Sequence, residues 1–146
     1  MQSDAQAIAL PPLTHVGIVV KDVVKTSELL SSLLGVGSWK IDETAPKKEE
    51  LIVGEPFKLK LAFGNLRETE LELLQPLEGD SVWSQFIETN GEGVHHLCFT
   101  VPNWDEMVSK FRAEGGKMIV GGIYKGKRWC YFDTKPGGTV VELFEG

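Results

Sequence analysis

A chain of 146 residues, 42% hydrophobic and 25% charged, has the size and composition of one compact domain or two small fused modules. Its net charge of −6 argues against wholesale nucleic-acid binding, and no apolar run approaches the roughly 20 residues that cross a bilayer. Two cysteines, Cys98 and Cys130, lack CxxC or framework spacing and suit a reducing compartment, so a soluble, cytoplasmic protein is expected.

Residues 1–12 have neither a basic start nor a long apolar core, and read as a disordered leader rather than a signal peptide. Residues 13–20, rich in valine, predict a buried strand. Asp22 stands where a helix N-cap would, Leu29, Leu30, Leu33 and Leu34 follow at helical spacing, and Gly35 is a stop signal. Residues 40–56 read as an exposed loop or frayed edge strand. Residues 57–63 alternate strictly and predict a strand with one wet face, Gly64-Asn65 the turn after it, and 69–74 a further strand ended by Pro76. Asp80 to Asn90, carrying Trp83, Phe86 and Ile87, predicts a short bridging helix.

The order then repeats. Residues 94–101 predict a strand, and Asn103 with Glu106 resembles a capping box. Trp104, Met107, Val108 and Phe111 mark one helix face, ended by Gly115-Gly116. Residues 117–121, 129–133 and 139–144 predict strands, with Pro136-Gly137-Gly138 before the last. Laying the run from His15 over the run from His96 shows two copies of one module.

Each copy opens a strand with a histidine and carries a glutamate in a later apolar strand: His15 with Glu72, and His96 with Glu142. A carboxylate buried in such a strand costs several kcal/mol unless it is paired or bound to a metal. Two imidazoles and two carboxylates form a complete nitrogen/oxygen set for a divalent ion such as Zn, Co, Ni or Mn, with Fe(II) also compatible. Strand parity places His15 on one face with Gly17, which leaves room beside a ligand. It places His96 with Cys98 and Thr100 and turns His95 the other way. The separations are 57 positions in the first copy and 46 in the second, so about 11 extra residues fall in the first, most plausibly within 40–56, where a lid would lie. Four protein ligands with room for two substrate oxygens suit Lewis-acid chemistry on a carbonyl, in which the metal holds an enolate.

These modules resemble the vicinal oxygen chelate superfamily, which includes glyoxalase I, extradiol dioxygenases, and fosfomycin- and bleomycin-resistance proteins. Within it the chain is most similar to the methylmalonyl-CoA epimerases. The resemblance runs from Leu13 to Glu145. It is carried by residues 14–22 from Thr14, residues 72–77 from Glu72, Asp80-Ser81 with the bridging helix, residues 91–97 from Gly91, and residues 138–143 up to Leu143. It implies an α+β fold: one domain over 13–146, with two tandem βαβββ modules (13–78 and 93–146) joined by a helix at 80–90. Together they form a curved mixed sheet around a metal-binding cup. It implies metal ligands at His15, Glu72, His96 and Glu142.

The implied activity is metal-dependent epimerisation of a 2-substituted, methylmalonyl-CoA-like acyl-CoA through a metal-chelated enolate. The alternatives are a glyoxalase I-type lyase or a relative with another substrate. Glu142 and a lid-side glutamate would act as acid/base groups. Glu55 is the nearest match to the latter, with Glu49 and Glu50 in the same stretch. A small-molecule, acyl-CoA type of substrate and a homodimer follow by the same analogy. The chain departs from the epimerases before its last strand, where Phe132-Asp133-Thr134-Lys135-Pro136 replaces a His-Pro-Lys type of segment. Lys125, Lys127 and Arg128 either meet CoA phosphates or form a solvated loop. Trp39, Trp129 and Tyr131 either line the cup or fill the core.

Overall fold

The computed structural model describes residues 8–134 and 138–146. Among these the chain runs β1 (His15–Val19), α1 (Val23–Leu34), β2 (Gly37–Thr44), β3 (Leu51–Val53), β4 (Lys58–Leu66), β5 (Thr69–Glu78), α2 (Val82–Asn90), β6 (Gly93–Val101), α3 (Trp104–Ala113), β7 (Lys117–Tyr124), β8 (Lys127–Asp133) and β9 (Val140–Glu145). The strands form one sheet in the order β2-β4-β5-β1-β6-β9-β8-β7-β3. In each module the opening strand pairs in parallel with the closing one, β1 with β5 and β6 with β9, and β1 meets β6 antiparallel at the junction. This is the expected α+β arrangement of two tandem modules.

The connection from β2 to β3 shows how strongly the sheet curls. Laid flat, eight strand spacings would put these two edges about 38 Å apart. The chain passes from Thr44 to Leu51 in seven residues, which reach at most about 25 Å. The two edges must therefore bend toward each other. Contacts between them record this: the Tyr124 hydroxyl donates to Asp42 Oδ2 at 2.7 Å, and Lys125 Nζ lies 3.3 Å from the same oxygen. The extra residues of the first module thus form a strap that pairs with β7 of the second module and returns to β4.

Alternation sorts the side chains into layers. On the convex face Val20, Ala62 and Leu73 pack against Val23 of α1, and Val101, Cys130, Phe132 and Leu143 pack with Trp104 and Met107 of α3. On the concave face Phe57, Leu59, Leu61, Leu74, Trp83, Trp129 and Tyr131 form a third cluster, into which α2 inserts Trp83. Both cysteines are buried and free. No helix among the described residues is long and apolar enough to cross a membrane.

Local signals account for the helix ends. The Asp22 carboxylate accepts from the Lys25 amide at 3.0 Å, and Gly35 closes α1 in the left-handed conformation at φ 73°. Ser81 caps α2, accepting from the Ser84 amide at 3.2 Å. Asn103 does not cap α3; its amide binds the Glu106 carboxylate instead.

Several expectations change. Leu29, Leu33 and Leu34 are exposed, and α1 buries Val23 and Ser27 with Leu30 alongside. β4 runs through Gly64-Asn65, and the turn falls at Arg67-Glu68, with Arg67 at positive φ. β5 continues past Pro76, which is tolerated because β1 pairs with β5 only as far as Leu74, so the proline has a neighbouring strand on one side. Residues 1–7 of the expected leader and the Pro136-Gly137 part of the expected turn lie outside the described residues. Ile8 and Leu10 pack against the core beneath α3, so the expected leader does not extend as free chain to residue 12.

Candidate metal centre

Cross-strand register brings together residues distant in sequence. One row across the concave face holds Glu72 on β5, Gly17 on β1 and His96 on β6. The adjacent row holds Glu70 on β5, His15 on β1, Cys98 on β6, Glu142 on β9 and Tyr131 on β8. An approximate two-fold exchange of the modules swaps His15 with His96, Glu72 with Glu142, and Gly17 with Cys98. The repeat in the sequence becomes a repeat in space, and the four chemical residues meet at its axis.

His15 Nε2 lies 3.1 Å from Glu72 Oε1 and 3.2 Å from Glu142 Oε1. His96 Nε2 lies 3.2 and 3.1 Å from the same two oxygens. The two imidazole nitrogens are 3.3 Å apart. All four residues are buried, His96 completely. Yet Glu72 Oε1 and Glu142 Oε1 accept no hydrogen bond among the described residues. Distance is satisfied and alignment is not, which is the arrangement of lone pairs directed at a shared point. Two donors each about 2.1 Å from one ion stand roughly 3.0 to 3.4 Å apart for right-angle to tetrahedral geometry. The donor set therefore fits one divalent ion held by two nitrogens and two oxygens.

The four groups shift one another's titration. Burial alone would lower His15, but the Glu72 charge and contacts with Cys98, Glu142 and Glu72 outweigh it, and the net shift is upward. His96 moves up in the same way, against its burial, through Glu142 and Glu72. Burial pushes the Glu142 carboxyl up, but contacts with His15 and His96 prevail and hold it down at about 2; Glu72 is also lowered.

His95 does not point away from His96. Gly17 pairs with His96 and Ile18 with Val94, so β6 carries a bulge at His95. A bulge interrupts the period-two alternation and re-aims side chains. His95 is buried with its Nδ1 3.0 Å from His96 Nδ1 and its ring edge-on to Phe86. With His96 Nε2 directed at the ion point, His96 Nδ1 carries the hydrogen and His95 Nδ1 accepts it. Burial and the His96 charge hold His95 at about 3, so it stays a neutral acceptor. The expected grouping of His96 with Cys98 on one face holds, whereas the bulge turns His95 toward His96 and not away from it.

Gly17 gives the His96 ring its space. A Cβ at this position would lie inside the ring's van der Waals envelope, against Cε1, Nδ1 and Nε2. Gly17→Ala is therefore expected to displace His96 and weaken divalent-metal affinity by more than tenfold, measured by calorimetric titration. Retained affinity would show that the ring has another place to sit.

His15, Glu72 and Glu142 form the floor of a cavity of about 180 Å³, with His96 fully buried behind them; its walls are Phe57, Leu59, Leu61, Phe63, Trp83, Trp129 and Phe144, with Thr44 and Pro46 contributed from the end of β2 and the strap. No lysine or arginine among the described residues lines it. Tyr131 and Trp129 line the cup, whereas Trp39 bonds Ser31 on α1. Glu70 also lines it, its carboxyl raised by burial and by the Glu72 charge, partly offset by His15. Its place was available in the sequence, since Glu70 stands two positions before Glu72 on an alternating strand.

Glu55 is not brought to the cavity. Its side chain is 75% exposed and paired with Lys48 Nζ at 2.9 Å. Glu55 misses the lid-side place the resemblance implies because the strap turns at Gly54 (φ 115°) after pairing with β7. Glu55→Gln is expected to leave turnover within about twofold of wild type, the usual size of effect for an exposed pair. In the basic loop, Arg128 is held by Asp105 at 2.8 Å and Glu145 at 2.7 Å, and Lys125 by Asp42.

The chain is similar to known proteins. The family model described as Glyoxalase/Bleomycin resistance protein/Dioxygenase superfamily matches residues 14–132. The mitochondrial methylmalonyl-CoA epimerase of Homo sapiens is 31% identical over 138 residues, covering 90% of this chain and 72% of that protein. Among solved structures, methylmalonyl-CoA epimerase from Mycobacterium tuberculosis superimposes with a TM-score of 0.70 at 22% identity, covering 97% of this chain and 94% of the other. A variant of the Streptomyces coelicolor methylmalonyl-CoA epimerase, in complex with 2-nitronate-propionyl-CoA, gives 0.69 at 22% identity, covering 94% and 99%. The paired modules, the two-fold cluster at their junction and these similarities make the chain a member of the glyoxalase/bleomycin resistance protein/dioxygenase superfamily, the vicinal oxygen chelate group, close to the methylmalonyl-CoA epimerases.

Proposed function

We propose that this protein is a metal-dependent epimerase acting at the α-carbon of a 2-substituted acyl-CoA thioester of the methylmalonyl-CoA kind. The observation that carries the proposal is the convergence of His15, Glu72, His96 and Glu142 on one point, with His15, Glu72 and Glu142 lining the floor of an apolar cup. His15, Glu72, His96 and Glu142 would hold a divalent ion such as Zn, Co, Ni or Mn. When bound, that ion supplies Lewis acidity to substrate oxygens.

The chain's own groups supply the rest. The four ligands fix the position of the charge. The aromatic and leucine walls exclude water from a carbon acid whose proton must leave, and strengthen each electrostatic contact there. Without a cation on the wall, the negative charge of a substrate is met at the floor and not at the sides. Glu142 faces the cluster through Oε1 and has a second carboxylate oxygen with which to accept the α-proton.

Incubation of the metal-loaded protein with methylmalonyl-CoA in D₂O tests the reading. Exchange of the α-proton and conversion of a single C2 epimer into a mixture of both are expected. Turnover of a glutathione hemithioacetal with no α-exchange of the thioester would replace the epimerase by the lyase.

A further inference from the structure

Tyr131 is the group at the cluster that this mechanism has not used. It stands directly across from Glu142 in the cross-strand register and lines the cavity. Its side chain is buried, and its ring centroid is 4.6 Å from that of His96. Among the described residues the phenol oxygen has two polar neighbours. The Trp83 indole N–H donates to it at 3.2 Å, and His96 Nε2 lies 3.5 Å away.

The inventory of donors and acceptors then constrains the hydroxyl hydrogen. Trp Nε1–H can only donate, so it occupies an acceptor direction of the phenol oxygen and leaves that oxygen's own hydrogen to point elsewhere. The one nearby acceptor is His96 Nε2, whose lone pair is directed at the ion point. A lone pair engaged by a cation cannot also accept a hydrogen bond. With the site loaded, the Tyr131 hydrogen therefore has no protein acceptor and faces the space beside the cluster where substrate oxygens would lie. A buried donor left without a partner costs about 1–3 kcal/mol, so a ligand oxygen there gains by accepting from it. An ordinary phenol, with a value of about 10, is already a donor at neutral pH.

We propose that Tyr131 is a catalytic hydrogen-bond donor to the substrate oxygen that gathers negative charge as the α-proton leaves. The inference rests on the epimerase reading and adds to it a residue whose contact strengthens as the reaction proceeds. Removing one such donor typically lowers turnover 10²–10³-fold.

The test uses Tyr131→Phe in the full chain and three titrations. Divalent-metal affinity should stay within about threefold of wild type, showing the cluster intact. Affinity for 2-nitronate-propionyl-CoA, whose nitronate carries the charge of the deprotonated state, should fall at least tenfold. Affinity for propionyl-CoA, an uncharged thioester, should change little, and α-proton exchange should slow about 100-fold. A merely structural role would weaken both CoA ligands alike. Equal nitronate affinity in the variant and wild type, or equal loss for both ligands, would overturn the proposal. If wild type itself fails to exchange the α-proton, the epimerase reading falls and takes this inference with it. Exchange at the same rate in both proteins removes Tyr131 alone.

Discussion

Alanine in place of His96 is expected to abolish stoichiometric binding of a divalent ion and to reduce α-proton exchange below detection. His96 is fully buried and its Nε2 is one of four donors within 4.8 Å of one another. Its removal leaves two buried carboxylates with one imidazole between them. Loss of an outer-sphere partner typically costs 10–100-fold in metal affinity, so loss of the ligand itself should exceed that. His95 provides the contrast. His95→Phe removes the acceptor behind His96 Nδ1 and should weaken the metal 10–100-fold without abolishing it, whereas His95→Asn, which restores an acceptor near that position, should recover most of the loss. Calorimetric titration of the three variants orders them. His95→Phe as severe as His96→Ala would mean that the ligand assignment between these neighbours is wrong.

The second large effect is on stability. A divalent ion that binds only the folded chain stabilises it by about 4 kcal/mol at a thousandfold excess over Kd. For a domain near 150 residues this raises Tm by roughly 8–16 °C. The gain should vanish with chelator and be absent in His96→Ala. Its pH dependence has a definite sign. His15 and His96 are both raised in the metal-free cluster, so at neutral pH the ion must displace protons from them. Metal affinity, and with it the Tm increment, should therefore grow as pH rises and shrink as pH falls.

The metal-free protein runs the other way on the histidines. Their raised values stabilise the fold fully below the ordinary value of 6.5, and this contribution is lost as pH rises through the folded values. Glu142, held at about 2, contributes above its ordinary 4.5 and loses its share as pH falls through about 2. Thermal melts with and without metal across pH 5 to 8 would show the two curves separating with rising pH. Curves that converge would contradict proton displacement from the imidazoles.

The fold was largely legible because two signals reinforced each other. Apolar periodicity located seven of the nine strands and the three helices, and the repeat from His15 to His96 fixed their order, while β2 and β3 fall in or beside the stretch 40–56 read as a loop or frayed edge. The four cluster residues were legible because duplication made each one a check on another. What escaped was non-local. The pairing of β3 with β7 joins the two modules across the mouth of the cup, and nothing between Thr44 and Phe57 announces a partner more than 60 positions away. Glu55 was misplaced for that reason. The bulge at His95 escaped because period two is assumed, not encoded. Leu29, Leu33 and Leu34 misled because their spacing marks a helix face without saying which face is covered. Tyr131 was left open between core and cup, and the structure makes it both.

The proposed chemistry depends on one divalent ion held through His15, Glu72, His96 and Glu142. The most direct measurement is a Co(II) titration of the metal-free protein followed by its visible absorption, which reports binding and coordination by nitrogen and oxygen together. Saturation at one equivalent per chain is expected. A wild-type protein that takes up no Co(II), or saturates unchanged after His15→Ala and His96→Ala are combined, would contradict it.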